Sequence, residues 1–183
     1  MAEPGRVATR RVYAGRVISV DLDRVRFPDG SEGELEMVRH PGASAVVPFL
    51  GDPAGENPEI LLMRQYRYAA DGFLFEVPAG RLDPGENPTA CAHRELAEET
   101  GCRAAGMHHL FTMYTTPGFT DEQIHLFMAT GITMGATRRE ADEFIELRPV
   151  ALSEALAMIE RGEIQDAKTA LAILYAAGYR TGR

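Results

Sequence analysis

The stretch that most constrains this chain is 80–102, GRLDPGENPTACAHRELAEETGC. Asn87 is a natural helix N-cap, and Pro88 fits the first helical position, where its missing amide would have had no partner. Gly101 can take the left-handed conformation that ends a helix without a Cβ clash. The spacing therefore predicts a helix opening at Pro88 and closing at Gly101. Glu95, Glu98 and Glu99 then project from neighbouring turns of one face. Ala92 and Leu96, four residues apart, point elsewhere and can bury. Like charges on one face repel by a few tenths of a kcal/mol, about 0.2–0.5 per pair. Three clustered carboxylates, with Glu86 just upstream, therefore invite a cation. Oxygen donors without Cys or His suit Mg²⁺ or Mn²⁺, and Mg²⁺ shares its shell with water and substrate phosphates. The face reads as a divalent-metal site for a phosphate-containing substrate.

The ordered pattern runs Gly80, five residues, Glu86, seven residues, Arg94-Glu95-Leu96, one residue, Glu98-Glu99, one residue, Gly101-Cys102. It resembles the box of the Nudix family at every fixed position. A solvated acidic helix, its glutamates paired with Arg94 and Arg81, would explain the charges in isolation but not the whole spacing. The resemblance implies a hydrolase that cleaves a diphosphate linked to a further moiety. It also implies Mg²⁺ (or Mn²⁺) held by Glu95, Glu98 and Glu99 with the backbone carbonyl of Ala79.

Composition sets the outer bounds. A chain of 183 residues, 45% hydrophobic, makes one cored domain, or one with an appendage. The net charge of −8, with no basic cluster, argues against a nucleic-acid partner. Cys91 and Cys102 do not make a disulfide framework and read as buried thiols. No apolar run reaches membrane-spanning length, and the start, MAEPGRVATRR, lacks the apolar core of a signal peptide. The expectation is a cytoplasmic protein with no membrane partner.

Along the chain, residues 1–9 read as disordered. Residues 12–27 alternate apolar and charged side chains, Pro28-Asp29-Gly30 is a turn, and Leu35, Met37 and Val38 form a return strand. Strands are expected at 43–50, 59–67, 73–79, 107–115, 124–129 and 144–147, with a charged flexible loop at 131–143. Ser153 is the expected N-cap of a helix over 154–161 that stops at Gly162. A second helix over 167–177 ends at Gly178, with Lys168 on its exposed side. His125 alternates with apolar neighbours and reads as a satisfied sheet histidine.

Further segments resemble the ADP-ribose and nucleoside diphosphate sugar pyrophosphatase branch of the family. These are Gln65-Tyr66-Arg67, Glu76-Val77-Pro78-Ala79-Gly80, and Pro117-Gly118 followed by Glu122, the proline standing sixteen residues beyond Gly101. The resemblance implies an α+β fold, an α/β/α sandwich with a mixed sheet. Residues 41–183 would be the Nudix domain. Residues 1–40 would be an antiparallel β-arm that packs on or swaps with a second subunit of a homodimer. Arg67 would reach substrate phosphates, or pair with Asp71 or Glu76. Glu76, Arg81, Pro117, Gly118 and Glu122 would stand on the substrate side, and Arg94 would orient Glu98. Glu86 would anchor the loop before the helix. A loop carboxylate, Glu140 or Glu143, would be the general base, with Glu143 also able to reach the metal. Tyr13, Phe27, Tyr66 and Phe119 are candidates to stack on a base. The expected reaction is hydrolysis of ADP-ribose, or a related nucleoside diphosphate sugar, to a nucleoside monophosphate and a sugar phosphate. Alternatives are GDP-mannose, NADH or a dinucleoside polyphosphate as substrate, or a non-hydrolysing ADP-ribose sensor.

Overall fold

The computed structural model describes residues 3–137 and 144–180. The chain divides into two compact units, residues 1–42 with 114–123, and residues 43–113 with 124–183.

The first unit is built on a three-stranded antiparallel sheet, β1 (Gly5–Ala14), β2 (Ser19–Arg26) and β3 (Glu32–Arg39), with β2 in the centre. Asp21 and Asp23 stand two apart on β2 and so share a face, and both are buried. Each is answered by cations from the flanking strands. Arg11 Nε on β1 donates to Asp21 at 2.6 Å, and Arg39 on β3 donates to Asp21 at 3.1 Å, to Asp23, and to Asp121 at 3.0 Å. The Arg11 hydrogen bond, helped by Arg39, outweighs burial and holds the Asp21 carboxyl down at about 2. The segment around Pro117 joins this sheet: Val38 N–H donates to Phe119 O at 2.7 Å, and Asp121 N–H to Val38 O at 3.3 Å.

Two expectations are corrected here. Gly5–Ala14 is a strand rather than a disordered start. The alternating run does not make one long strand: Gly15 N–H donates to Ile18 O at 2.9 Å and closes a tight turn between β1 and β2. The signal for β1 lies in its pairing with Asp21 and Asp23, which composition over 1–9 does not reveal. The turn after β2 forms as read, with Gly30 at φ 89° and its N–H donating to Phe27 O at 2.9 Å.

Among the described residues of the second unit are two sheets and three helices. The four-stranded sheet runs β7 (Ala79–Arg81), β4 (Ala43–Pro48), β9 (Gln123–Thr133), β8 (Arg103–Tyr114). It is mixed, with β4 parallel to β9 and antiparallel to β7. The other sheet is antiparallel, in the order β10 (Ile145–Ala151), β5 (Glu59–Arg67), β6 (Gly72–Glu76). A short 3₁₀ turn, Tyr68–Ala70, joins β5 to β6.

Strand alternation sorts the core into two layers. Ala45 and Val47 of β4, with Leu126 and Met128 of β9, face Ala172, Ile173 and Ala176 of α3 (Ala167–Arg180) and Ala155 and Met158 of α2 (Leu152–Glu160). Val46 of β4 and Phe127 of β9 face the other way, onto Ala92 and Leu96 of α1 (Pro88–Thr100). The sheet is therefore covered by helices on both faces, and the fold is α+β, an α/β/α sandwich.

The C-terminal helices differ from expectation in three details. Ser153 lies inside α2, whose N-cap is Ala151; the helix start is instead satisfied from a loop, where Asn57 Oδ1 accepts from Ser153 N–H at 3.1 Å. Helix α3 runs through Gly178 to Arg180. A glycine inside a helix costs only about 1 kcal/mol, which the buried stripe on the preceding turns outweighs. Lys168 is not on an exposed side, as the site below shows. Strands β8 and β9 also run longer than expected, β9 reaching Thr133, and residues 138–143 of the expected loop lie outside the described residues.

Candidate active site

Helix α1 forms as its sequence dictates. Asn87 Oδ1 accepts from Ala90 N–H at 2.9 Å, Pro88 is the first helical residue, and Gly101 at φ 73° donates its N–H to Ala97 O. A Cβ on Gly101 would also meet Gly135 O at 2.4 Å, so this glycine answers a close approach as well as a cap. Ser44 Oγ donates to Pro88 O at 2.8 Å and ties the helix start to β4.

The three glutamates sit differently on their shared face. Glu95 and Glu99 are 9% and 2% exposed, while Glu98 is at the rim. Glu99 Oε2 accepts from Ala79 N–H at 2.8 Å, which ties the helix to β7. Glu95 packs on Gly80, where a Cβ would lie 1.9 Å from its Oε1. Position 80 therefore has room for hydrogen alone.

Arg94 binds more than the single glutamate expected. Its Nε and Nη2 donate to the two oxygens of Glu86 at 3.0 and 2.8 Å, and Nη2 also donates to Arg81 O at 2.9 Å. Nη1 donates to Glu95 at 2.5 Å and to Glu98 at 3.2 Å. These carboxylates raise the Arg94 pKa further, the Glu86 bond most. In return Arg94, with Asp83 N–H donating at 3.0 Å, lowers the Glu86 carboxyl to about 2. Arg81 thus enters through its backbone carbonyl.

A second charged group joins Arg67, the last residue of β5, to Glu76, the last residue of its antiparallel neighbour β6. Arg67 donates to Glu76 through Nε at 2.6 Å and Nη2 at 2.9 Å, a two-point pairing of planar groups. Glu76 is 1% exposed. Its Oε2 also accepts from Lys168 Nζ of α3 at 2.5 Å, and Lys168 lies 3.0 Å from Asp166. Burial alone would push the Glu76 carboxyl up, but Arg67 and Lys168 together outweigh it and hold it below its usual value. Sequence alone does not reveal this role for Lys168, because on a helix the side chain that turns inward to an acid looks like any exposed lysine. The readable signal was local: Asp166 three residues before Thr169 is a cap pattern, and Asp166 Oδ2 accepts from Thr169 N–H at 3.0 Å. Thr169 Oγ1 in turn accepts from Val77 N–H at 3.0 Å, just ahead of Ala79-Gly80.

The remaining expected residues fall elsewhere. Pro117, Gly118 and Glu122 belong to the first unit, where Thr115 Oγ1 donates to Glu122 at 3.0 Å and His40 Nδ1 lies 3.3 Å from its other oxygen. Glu140 and Glu143 lie outside the described residues. Among the base-stacking candidates, Tyr66 meets Phe73 edge to face, and Tyr13, Phe27 and Phe119 are surface side chains. His125 has its sheet partner, Thr112 Oγ1, at 2.9 Å. Both cysteines are free and buried, and burial pushes the Cys91 thiol up to about 11.

The donors of the α1 face are all hard oxygens, and two of them are buried beside backbone that carries no side chain at Gly80. That chemistry fits a divalent cation of the Mg²⁺ or Mn²⁺ type. Among the described residues, no three acidic, imidazole or thiol side chains already converge on a metal position. Arg94 stands among Glu86, Glu95 and Glu98 and supplies the positive charge there.

Comparison with known proteins places the chain. The family model described as the NUDIX domain matches residues 39–172. The chain belongs to the Nudix family. This Nudix chain is 38% identical to the ADP-ribose pyrophosphatase of Bacillus subtilis (strain 168), over 92% of its own length and 90% of that protein's. It is 40% identical to the methanol dehydrogenase activator of Bacillus methanolicus, again over 92% and 90%. It is 35% identical to the GDP-mannose pyrophosphatase of Cronobacter sakazakii (strain ATCC BAA-894), over 91% and 88%. A solved structure, an ADP compounds hydrolase, shares the fold at a TM-score of 0.83 and 19% identity, covering 100% of this chain and 96% of that one. Among the described residues, no helix of this Nudix protein is long and apolar enough to cross a membrane.

Proposed function

We propose that this Nudix hydrolase cleaves the diphosphate bond of ADP-ribose, or of a closely related nucleoside diphosphate sugar, to a nucleoside monophosphate and a sugar phosphate. The observation that carries this reading is the α1 carboxylate face, with Glu95 and Glu99 buried against the Ala79-Gly80 backbone. The ADP-ribose pyrophosphatase relative at 38% identity supports the substrate.

Glu95, Glu98 and Glu99, with the Ala79 carbonyl, would hold Mg²⁺ or Mn²⁺. A bound divalent ion supplies Lewis acidity and lowers the pKa of water. Arg94 holds Glu86, Glu95 and Glu98 in register along the face. Arg67 engages Glu76 with two of the five N–H donors a guanidinium carries. Its side chain is 41% exposed, so the remaining donors can meet phosphoryl oxygens. Glu140 or Glu143 accepts the proton of the attacking water, Glu143 with a further role toward the metal. Glu76 and Arg81 contact the substrate, and Pro117, Gly118 and Glu122 are further substrate-binding candidates.

Residues 1–40 form the arm and 41–183 the Nudix domain of a cytoplasmic homodimer. Val12, Tyr13, Val17, Ile18 and Leu35 of the arm are exposed apolar side chains, which supports a role in assembly.

The test is product analysis with purified protein and Mg²⁺ over ADP-ribose, GDP-mannose, NADH and a diadenosine polyphosphate, with a chelator control. Chelator-sensitive release of AMP and ribose phosphate from ADP-ribose is the expected result. Preference for GDP-mannose, the substrate named for the Cronobacter relative, would change the substrate and keep the chemistry. Tight ADP-ribose binding without any turnover would replace the enzyme by a sensor.

A further inference from the structure

Glu76 is a buried carboxylate with cations on two sides. Arg67 reaches it from the end of β5, and Lys168 from the first turn of α3. Asp166, the cap of α3, balances Lys168 at 3.0 Å, so two anions and two cations form a neutral group. The lysine is 15% exposed at its side chain, whereas the arginine is 41% exposed and has donors to spare. The group is therefore asymmetric, with one cation turned inward and one facing out. If Glu76 had Arg67 alone, its full charge would draw the guanidinium onto itself. A buried carboxylate keeps a partner strongly, because charge-assisted bonds there are worth more than neutral ones.

We propose that Lys168 is a positioning residue for Arg67: by holding Glu76 from the helix side, it leaves the outer edge of the guanidinium available to a phosphoryl oxygen. This rests on the reading of Arg67 as a phosphate contact. Lys168 acts through Glu76 and does not touch the substrate. Its loss also removes one positive charge near an anionic ligand, so binding suffers first. The predicted signature is a rise in KM with a smaller change in kcat.

The experiment is a double-mutant cycle on ADP-ribose hydrolysis and, in parallel, on calorimetric binding of inorganic pyrophosphate, using the full chain. Lys168→Met should raise KM and weaken pyrophosphate binding about tenfold, the size of one charge-assisted hydrogen bond. In an Arg67→Ala background the same change should have less than about a twofold effect, because the group it positions is gone. Lys168→Arg should restore most of the loss. Thermal melting of each variant separates this from misfolding, which would lower kcat and the melting midpoint in both backgrounds alike. An equal effect of Lys168→Met with and without Arg67, or no effect in the unaltered background, overturns the proposal while leaving hydrolysis intact. If the unaltered protein binds pyrophosphate but turns over none of the substrate panel, the hydrolase reading falls and the binding cycle still decides the role of Lys168. If it neither binds nor turns over, both fall together.

Discussion

The carboxylate of Glu95 stands where a side chain on Gly80 would begin, with Oε1 1.9 Å and Cδ 2.0 Å from an ideal Cβ. The strand glycine and the helix glutamate are thus shaped to each other, and no side chain fits at position 80 unless Glu95 moves. Gly80→Ala must push Glu95 away from β7. A misplacement of about 1 Å at a reacting centre can cost roughly a hundredfold in rate. The expected outcome is a folded protein with kcat/KM down about a hundredfold and weakened Mg²⁺ activation. Circular dichroism and a metal titration check it, and an unchanged metal dependence would contradict it.

Glu98 and Glu99 test the proposed metal role more directly. Glu98→Gln or Glu99→Gln should each cut turnover by at least about a thousandfold if they activate a metal-bound water. Glu99→Gln keeps an oxygen that can accept from Ala79 N–H, so β7 should stay tied to α1 and the loss should fall on the metal role. Near-normal turnover in both variants would sink the assignment.

Glu86 gives a pH signature. Its carboxyl is lowered from 4.5 to about 2 in the folded protein, chiefly by the Arg94 hydrogen bond. A depressed folded pKa means the contribution to stability is fully present above the unfolded value. It is lost as pH falls through the folded value. The stability gap between the natural protein and Glu86→Gln should therefore be constant from pH 7 to about pH 5 and close between about pH 4.5 and pH 2. Denaturant melts at pH 7, 4 and 2.5 measure it; a gap that widens toward acid would refute the pairing.

Asn57 caps α2 from a loop, through Ser153 N–H at 3.1 Å and a second bond from its Nδ2 to Ser153 Oγ at 2.9 Å. Asn57→Ala should cost about 1 kcal/mol, as lost N-caps do. For a domain of this size that is a fall of about 2–4 °C in Tm, with turnover unchanged. An unchanged Tm would show that the bonds contribute nothing.

What could be read in advance follows from where each signal lives in the chain. Helix α1 was legible to its caps because Asn87, Pro88 and Gly101 act within a few residues of themselves. The buried strands β4 and β5 were legible because their side chains report one environment over a whole run. The Asp21–Arg11–Arg39 group was not, since each charge looks solvated until three strands pair. Lys168 was misjudged for the same reason: its partner, Glu76, is 92 positions away in sequence. Asn57 replaced Ser153 as the cap because a loop distant in sequence came close in space, and a window along the chain does not see that. Long-range pairing of polar and charged groups is the common element in what escaped the sequence.

The bonds from α3 to Glu76 and Val77 also set an order of events. Val77 and Thr169 are 92 residues apart, as are Glu76 and Lys168. At about 5–20 residues per second, the ribosome needs roughly 5 to 18 s to make the second partner after the first. Throughout that interval the nascent chain can hold its carboxylate helix while the approach to it hangs unfastened, with Glu76 lacking its lysine. The segment synthesised later is therefore the latch. A message cut short before residue 166 yields a chain with every glutamate of the α1 face present and nothing from α3 to hold the strand beside them.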